Sequence, residues 1–211
     1  VQISAEVIDI YMKQLRETAA EAGAAFEKRV AKAGITAEWR AVEAEPGNLL
    51  AAHGRYADLV VMGQPEPDSG LLMGGDDLPD RVFLDVGRPV LMIPYVAEYP
   101  TIGKRIMIAW DGSRTATRAV HDALPLMAGA EMVSVMCINP PSGEFGLGDL
   151  PGADIAAHLA RHGITAEADH VVSKDVPVAA MLESRAADFG ADLLVMGAYG
   201  HARVREIVLG G

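Results

Sequence analysis

Ala57-Asp58-Leu59-Val60-Val61-Met62-Gly63 recurs further along the chain as Ala191-Asp192-Leu193-Leu194-Val195-Met196-Gly197. In both copies an unbroken apolar run follows an aspartate and stops at a glycine. A strand covered on both faces of a parallel sheet reads this way. A second pair, Gly34-Ile35-Thr36-Ala37-Glu38 and Gly163-Ile164-Thr165-Ala166-Glu167, precedes the first in each half. Positions 34 and 163 are 129 apart, and positions 57 and 191 are 134 apart. Two ordered matches at nearly equal offsets indicate duplication of a whole domain, because the period is far longer than that of a solenoid.

Working outward, helical and strand patterns alternate in both halves. In the first, Ile10, Met12, Leu15, Ala19, Ala22, Phe26 and Val30 recur near helical spacing and predict a helix from Ala5 to Ala33. A strand is expected over Thr36 to Val42, a helix over Gly47 to Arg55, a strand over Leu59 to Met62, a helix over Leu78 to Val86 and a last strand over Pro89 to Tyr95. In the second half strands are expected at Arg105 to Trp110, Met132 to Ile138, Glu167 to Val172 and Leu193 to Met196. Helices are expected at Thr115 to Met127, bent or ended near Pro125, and at Ile155 to Arg161 and Pro177 to Phe189. Strand–helix–strand order implies right-handed crossovers and a mainly parallel sheet. The domains are expected at residues 1–97 and 104–211, joined over Ala97 to Lys104 with Pro100 and Gly103 as breakers. The first half has no counterpart of Arg105 to Ile138, and the second has none of Pro89 to Tyr95. Both ends of the sequence therefore read as cut.

Composition narrows the function classes. Of 211 residues half are apolar, but only 5 % are aromatic, so the core is aliphatic. The net charge of −11 disfavours nucleic-acid backbones and anionic membranes as partners. One cysteine, Cys137, supports neither a disulfide framework nor a cysteine zinc site, and a reducing, cytoplasmic setting is expected. No apolar run reaches the roughly 20 residues of a spanning helix.

The chemistry-bearing motif closes the chain. After the strand at Leu193 come Met196-Gly197-Ala198-Tyr199-Gly200-His201, then Gly210-Gly211. Glycines after a buried strand allow the backbone to approach a ligand, and exposed N–H groups there can cradle phosphate. A second motif, Ile106-Met107-Ile108-Ala109-Trp110-Asp111-Gly112-Ser113, ends the second half's first strand in Asp-Gly-Ser. Ligands of doubly wound sheets bind at the carboxyl ends of strands, where strand order reverses. Plain turn glycines and a turn at Asp111 with Ser113 capping the next helix are the competing readings.

These two motifs resemble the universal stress protein family, which has Gly-x2-Gly-x9-Gly-(Ser/Thr) after its fourth strand. Gly197, Gly200 and Gly210 match, while Gly211 stands where the family has a hydroxyl residue that contacts phosphate. The resemblance implies an α/β fold of two tandem Rossmann-like units with mainly parallel five-stranded sheets, of the adenine nucleotide α-hydrolase-like kind. It implies an adenine nucleotide (ATP, or AMP or ADP, with Mg²⁺ left open) held by Ala109, Asp111, Ile138, Met196, Gly197, Gly200, His201, Gly210 and Gly211. It further implies an internal pseudo-dimer, with pairing of chains into a homodimer also open. A stress or signalling switch, a nucleotide-free scaffold and a slow ATPase are the functions it leaves open.

The earlier copy departs from the motif. Gly63 is followed by Gln64-Pro65-Glu66, and the next expected glycine falls at Asp76, so two carboxylates stand where phosphates would bind. This half reads as a degenerate repeat. Walker A and Gly-x-Ser-x-Gly motifs are absent, and no catalytic acid–base pair is recognisable. Gly143-Glu144-Phe145-Gly146-Leu147-Gly148, with Pro140, Pro141 and Pro151 around it, reads as a mobile loop, a cover over a bound nucleotide being the alternative. Trp110 is either core or ligand contact. Ser113 is either a helix cap or a phosphoryl acceptor. His158 and His162, four apart, read as solvated helix histidines with a metal as the alternative; His170 lies downstream.

Overall fold

In the computed structural model, residues 4–64, 78–96, 99–141, 147–173 and 175–198 are described. The chain divides into two compact units, Val1–Ala44 and Glu45–Gly211.

The first unit is the helix α1 (Ala5–Ala33) followed by an extended segment. Ser4 caps α1 by accepting the Val7 N–H, and Gly34 ends it in the left-handed conformation with φ 66°. The predicted apolar stripe is half-buried at Met12, Leu15, Ala19, Phe26 and Val30, whereas Ile10 is exposed. Trp39 lies against Phe26, with ring centroids 5.5 Å apart, and against Gly23. The strand expected over Thr36 to Val42 does not form; that stretch is irregular. A strand needs a neighbour to take its N–H and C=O groups, and this unit supplies only a helix.

The second unit begins with α2 (Pro46–Gly54), β1 (Val60–Gly63), α3 (Leu78–Asp85) and β2 (Val90–Ile93). Glu45 caps α2 by accepting the N–H groups of Gly47 and Asn48, and it is paired with Arg81 at 2.7 Å. β1 and β2 are parallel, with Val60 opposite Val90. A small core of Val60, Val82 and Val86 joins them to the helices.

The larger sheet comes from β3 (Arg105–Ala109), α4 (Arg114–Met127), β4 (Met132–Ile138), α5 (Ala153–Arg161), β5 (Ala166–Val171), α6 (Val178–Phe189) and β6 (Leu193–Val195). The strands are all parallel in the order β5-β4-β3-β6. Alternate residues of β3 and β4 face opposite layers, as a strand's period of two requires. Ile106, Ile108, Val133, Val135 and Cys137 pack with α4 and α5. Met107 and Met136 pack with Leu182 of α6. The result is a sheet between two helical layers.

The described residues hold a two-stranded sheet and a four-stranded one, the latter built from the four strands expected of the second half. α4 continues through Pro125 to Met127. Proline there removes only one hydrogen bond in the final turn, where the helix is already ending.

Candidate functional site

The β5-β4-β3-β6 order places the reversal of strand order between β3 and β6. Chain growth moves outward through β4 and β5, then returns to the other side of β3. At such a point the loops leaving two adjacent strands part in opposite directions and open a crevice.

The predicted residues that are described gather at this end of the sheet. Ala109 is the last residue of β3, with Asp111 two positions beyond it; Ile138 is the last of β4. Met196 and Gly197 directly follow β6. Gly200, His201, Gly210 and Gly211 lie outside the described residues, as do Glu66 and Asp76 of the degenerate copy. The side chains divide between the layers. Ala109, Ile138 and Met196 pack on the α6 side, whereas Trp110 packs against the α4–α5 core.

Asp111, Gly112 and Ser113 form a tight turn into α4. The Asp111 carboxylate accepts the Ser113 N–H at 2.9 Å. Gly112 takes φ 73°, a left-handed conformation that side chains disfavour, and a Cβ there would lie 2.8 Å from Leu147. Leu147, the described end of the glycine-rich loop after β4, thus rests on this turn. Ser113 caps α4, its hydroxyl accepting the Ala116 N–H at 3.2 Å and lying 3.1 Å from the Thr115 hydroxyl. The positive end of α4 opens at this edge of the sheet, where a helix N-terminus favours anionic groups.

Gly197 reaches the same turn from β6. A Cβ on it would lie 2.6 Å from the Ala116 nitrogen and 2.6 Å from Thr115 Oγ1. Backbone therefore presses on backbone, and Gly197 has a packing role that the motif alone did not disclose. Contacts run continuously from Asp111 through Ser113 and Thr115 to Gly197.

Sequence reasoning also missed Asn139. It stands one residue past β4 with φ 49°, and its side-chain oxygen accepts the Ser173 N–H at 2.8 Å. Asparagine tolerates the left-handed region better than most residues, which was the available signal. Cys137, on β4 and paired with His170 of β5, is buried in the core under α4 and α5. Burial, then the charges of Asp111 and Asp169, push its thiol up to about 11, so it stays protonated at neutral pH.

The opposite end of the sheet is tied by Asp192. Its carboxylate accepts the Thr101 hydroxyl at 2.9 Å and the N–H groups of Gly103, Lys104 and Arg105 at 3.1, 3.1 and 2.9 Å. Burial raises its proton affinity, but the four donors outweigh burial and hold it below the usual aspartate range. Arg105 adds a guanidinium bonded to the Phe189 carbonyl and set 4.7 Å over the Phe189 ring.

A doubly wound sheet with its crevice between the first and last strands defines the class: an open α/β protein of Rossmann-like topology. Residues 103–211 match the Universal stress protein family, and the chain belongs to that family. The match covers one such domain.

Among solved structures, a universal stress protein from Archaeoglobus fulgidus DSM 4304 matches 100 % of this chain and 74 % of its own, with TM-score 0.70 and 19 % identity. That likeness extends the shared fold over the whole chain. A protein of the same family from Burkholderia pseudomallei is 26 % identical over 49 % of this chain and 86 % of its own, with TM-score 0.38. No curated protein matches the chain. No helix among the described residues is long and apolar enough to cross a membrane.

Proposed function

We propose that the half of the chain from residue 104 binds an adenine nucleotide, ATP or its AMP or ADP relatives, and acts as a cytoplasmic stress or signalling switch. In this reading residues 1–97 are a degenerate partner domain within the same chain. The observation that carries the reading is the meeting of Asp111, the N-terminus of α4 and Gly197 at the strand-order reversal. Asp111 offers a carboxylate to a ribose hydroxyl or an adenine amino group. Ala109, Ile138 and Met196 line the strand ends on which the base would rest. The segment carrying Gly200, His201, Gly210 and Gly211 would offer backbone N–H groups to the phosphates, with Mg²⁺ left open as their counter-ion.

One observation favours a nucleotide-free scaffold instead. Gly197 is already required by its contact with α4, so that glycine is no longer evidence for phosphate. Denaturing the purified protein and chromatographing the supernatant separates the two readings. Released adenine nucleotide, together with a rise in melting temperature on adding ATP, supports the switch. An empty supernatant and an unmoved melting temperature support the scaffold. Asp111→Ala and Gly200→Val should each remove the ATP-dependent rise while leaving a cooperative melt.

A further inference from the structure

Away from the crevice, His158 of α5 meets two other imidazoles. His162, which ends α5, is one turn further along, and His121 belongs to α4. Ring centroids are 5.0 Å apart for His121 and His158, and 4.8 Å apart for His158 and His162. His158 is thus the shared member of two ring contacts. No group of three His, Cys, Asp or Glu among the described residues could hold a metal ion, so the metal weighed for His158 and His162 is set aside. The reading of both as solvated is revised for His158, whose Nε2 is buried without a hydrogen-bond partner.

That arrangement suits a neutral ring far better than a charged one. An imidazolium carries an N–H on both nitrogens, and each needs an acceptor. Nε2 of His158 has none, so a proton there is buried and unpaired. The groups that face the ring add to the cost. From its own helix these are His162 and Arg161, and from α4 His121, all of them bases. β5 lies beneath α5 and brings His170 to the same layer, in register with Cys137. Asp154 is one turn back on α5, and Asp122 of α4 is bonded to Arg118 at 2.8 Å. Burial first, then the charges of His162, His121 and Arg161, hold the proton affinity of His158 below the usual histidine range. His121 Nδ1 lies 2.8 Å from the Thr117 carbonyl. That bond survives protonation of His121, because a carbonyl only accepts, and it keeps the ring beside His158.

We propose that His158 is an acid-sensitive latch between α4 and α5: a proton on its ring loosens α5 from the layer. The build of α5 fits it for local opening. Gly152, its N-cap, makes no side-chain capping bond, and the helix is held down through Ile155 and Leu159. Proton linkage sets the direction. A detached ring takes its proton near the usual histidine value of about 6.5, and the docked ring only at lower pH. The latch therefore contributes fully above about pH 6.5 and is lost as pH falls through the docked value. The Asp192 carboxylate, held below the aspartate range, titrates well beneath this window.

Two measurements on the full chain test this. NMR follows the His158 ring against pH, and amide hydrogen exchange follows α5. The ring should titrate below the ordinary value of about 6.5, and His121→Gln should raise its midpoint. At about pH 5 the amides of residues 155–161 should exchange at least about threefold faster than at about pH 7.5, after correction for the intrinsic rate, while those of α6 hold steady. His158→Gln, which cannot take the charge, should abolish that gain. A wild-type midpoint at or above about 6.5, a midpoint unmoved in His121→Gln, no gain confined to α5, or the same gain in His158→Gln overturns the proposal. The wild-type titration needs no variant to fold, and neither measurement uses nucleotide, so the outcome is independent of the crevice reading.

Discussion

Asp192 and Gly197 flank the three residues of β6 and act at its two ends. Asp192 gathers four donors from the segment that leads into β3 and from its first residue, and three of these are backbone N–H groups. Asp192→Ala should cost roughly 2 kcal/mol, since bonds to a charged acceptor are worth about 1.5–3 kcal/mol and the donors are left unpaired. Differential scanning calorimetry would show this as a lower melting temperature. The carboxylate's affinity for protons is depressed in the folded state, so its contribution is complete above the usual aspartate value of about 3.9 and disappears as pH falls through the lower folded value. The gap between wild type and Asp192→Ala should therefore close below about pH 4. Gly197→Ala places a methyl group 2.6 Å from backbone of α4 and should cost about 1–3 kcal/mol by overpacking. An unchanged melting temperature would show that the end of β6 yields easily. The sequence made Gly197 conspicuous but assigned it to ligand, because steric pressure from a helix 81 residues earlier (116 to 197) leaves no local mark. Asp192 was legible only as part of a repeat.

At the scale of elements, apolar periodicity was a good guide wherever a partner existed to bury it. α1, β4 and β6 lie within a residue of expectation. Thr36 to Val42 has strand-like composition and no ladder, because composition does not supply a neighbouring strand. Ser113 shows how two readings of one hydroxyl can be parted. As the cap of α4 it accepts the Ala116 N–H, and Ser113→Ala should cost about 1 kcal/mol. Ser113→Asp should retain most of that stability, since aspartate caps as well as serine does. A thermal melt of both variants checks this; equal losses would mean that the hydroxyl stabilises through Thr115 rather than as a cap.

For the molecule as a whole, the two cores of the larger sheet draw only on residues 106–196. A fragment spanning 99–211 keeps both, along with Thr101 and the Asp192 contacts, and should melt cooperatively with a heat-capacity increment suited to its length. A gradual, non-cooperative melt would mean that the sheet depends on the preceding residues. Duplication and the two glycine-bearing motifs were enough to anticipate a parallel α/β fold. The contact between His121 and His158 was not legible, since they are 37 residues apart (121 to 158) and only the packing of α4 beside α5 brings their rings together. The Asp192 carboxylate also has a mechanical consequence. A pull on the chain ahead of Thr101 meets that clamp before it loads β3, at the floor of the sheet rather than its rim. Tension arriving along the chain before Thr101 should thus be absorbed at the base, and the shape of the mouth is insulated from it.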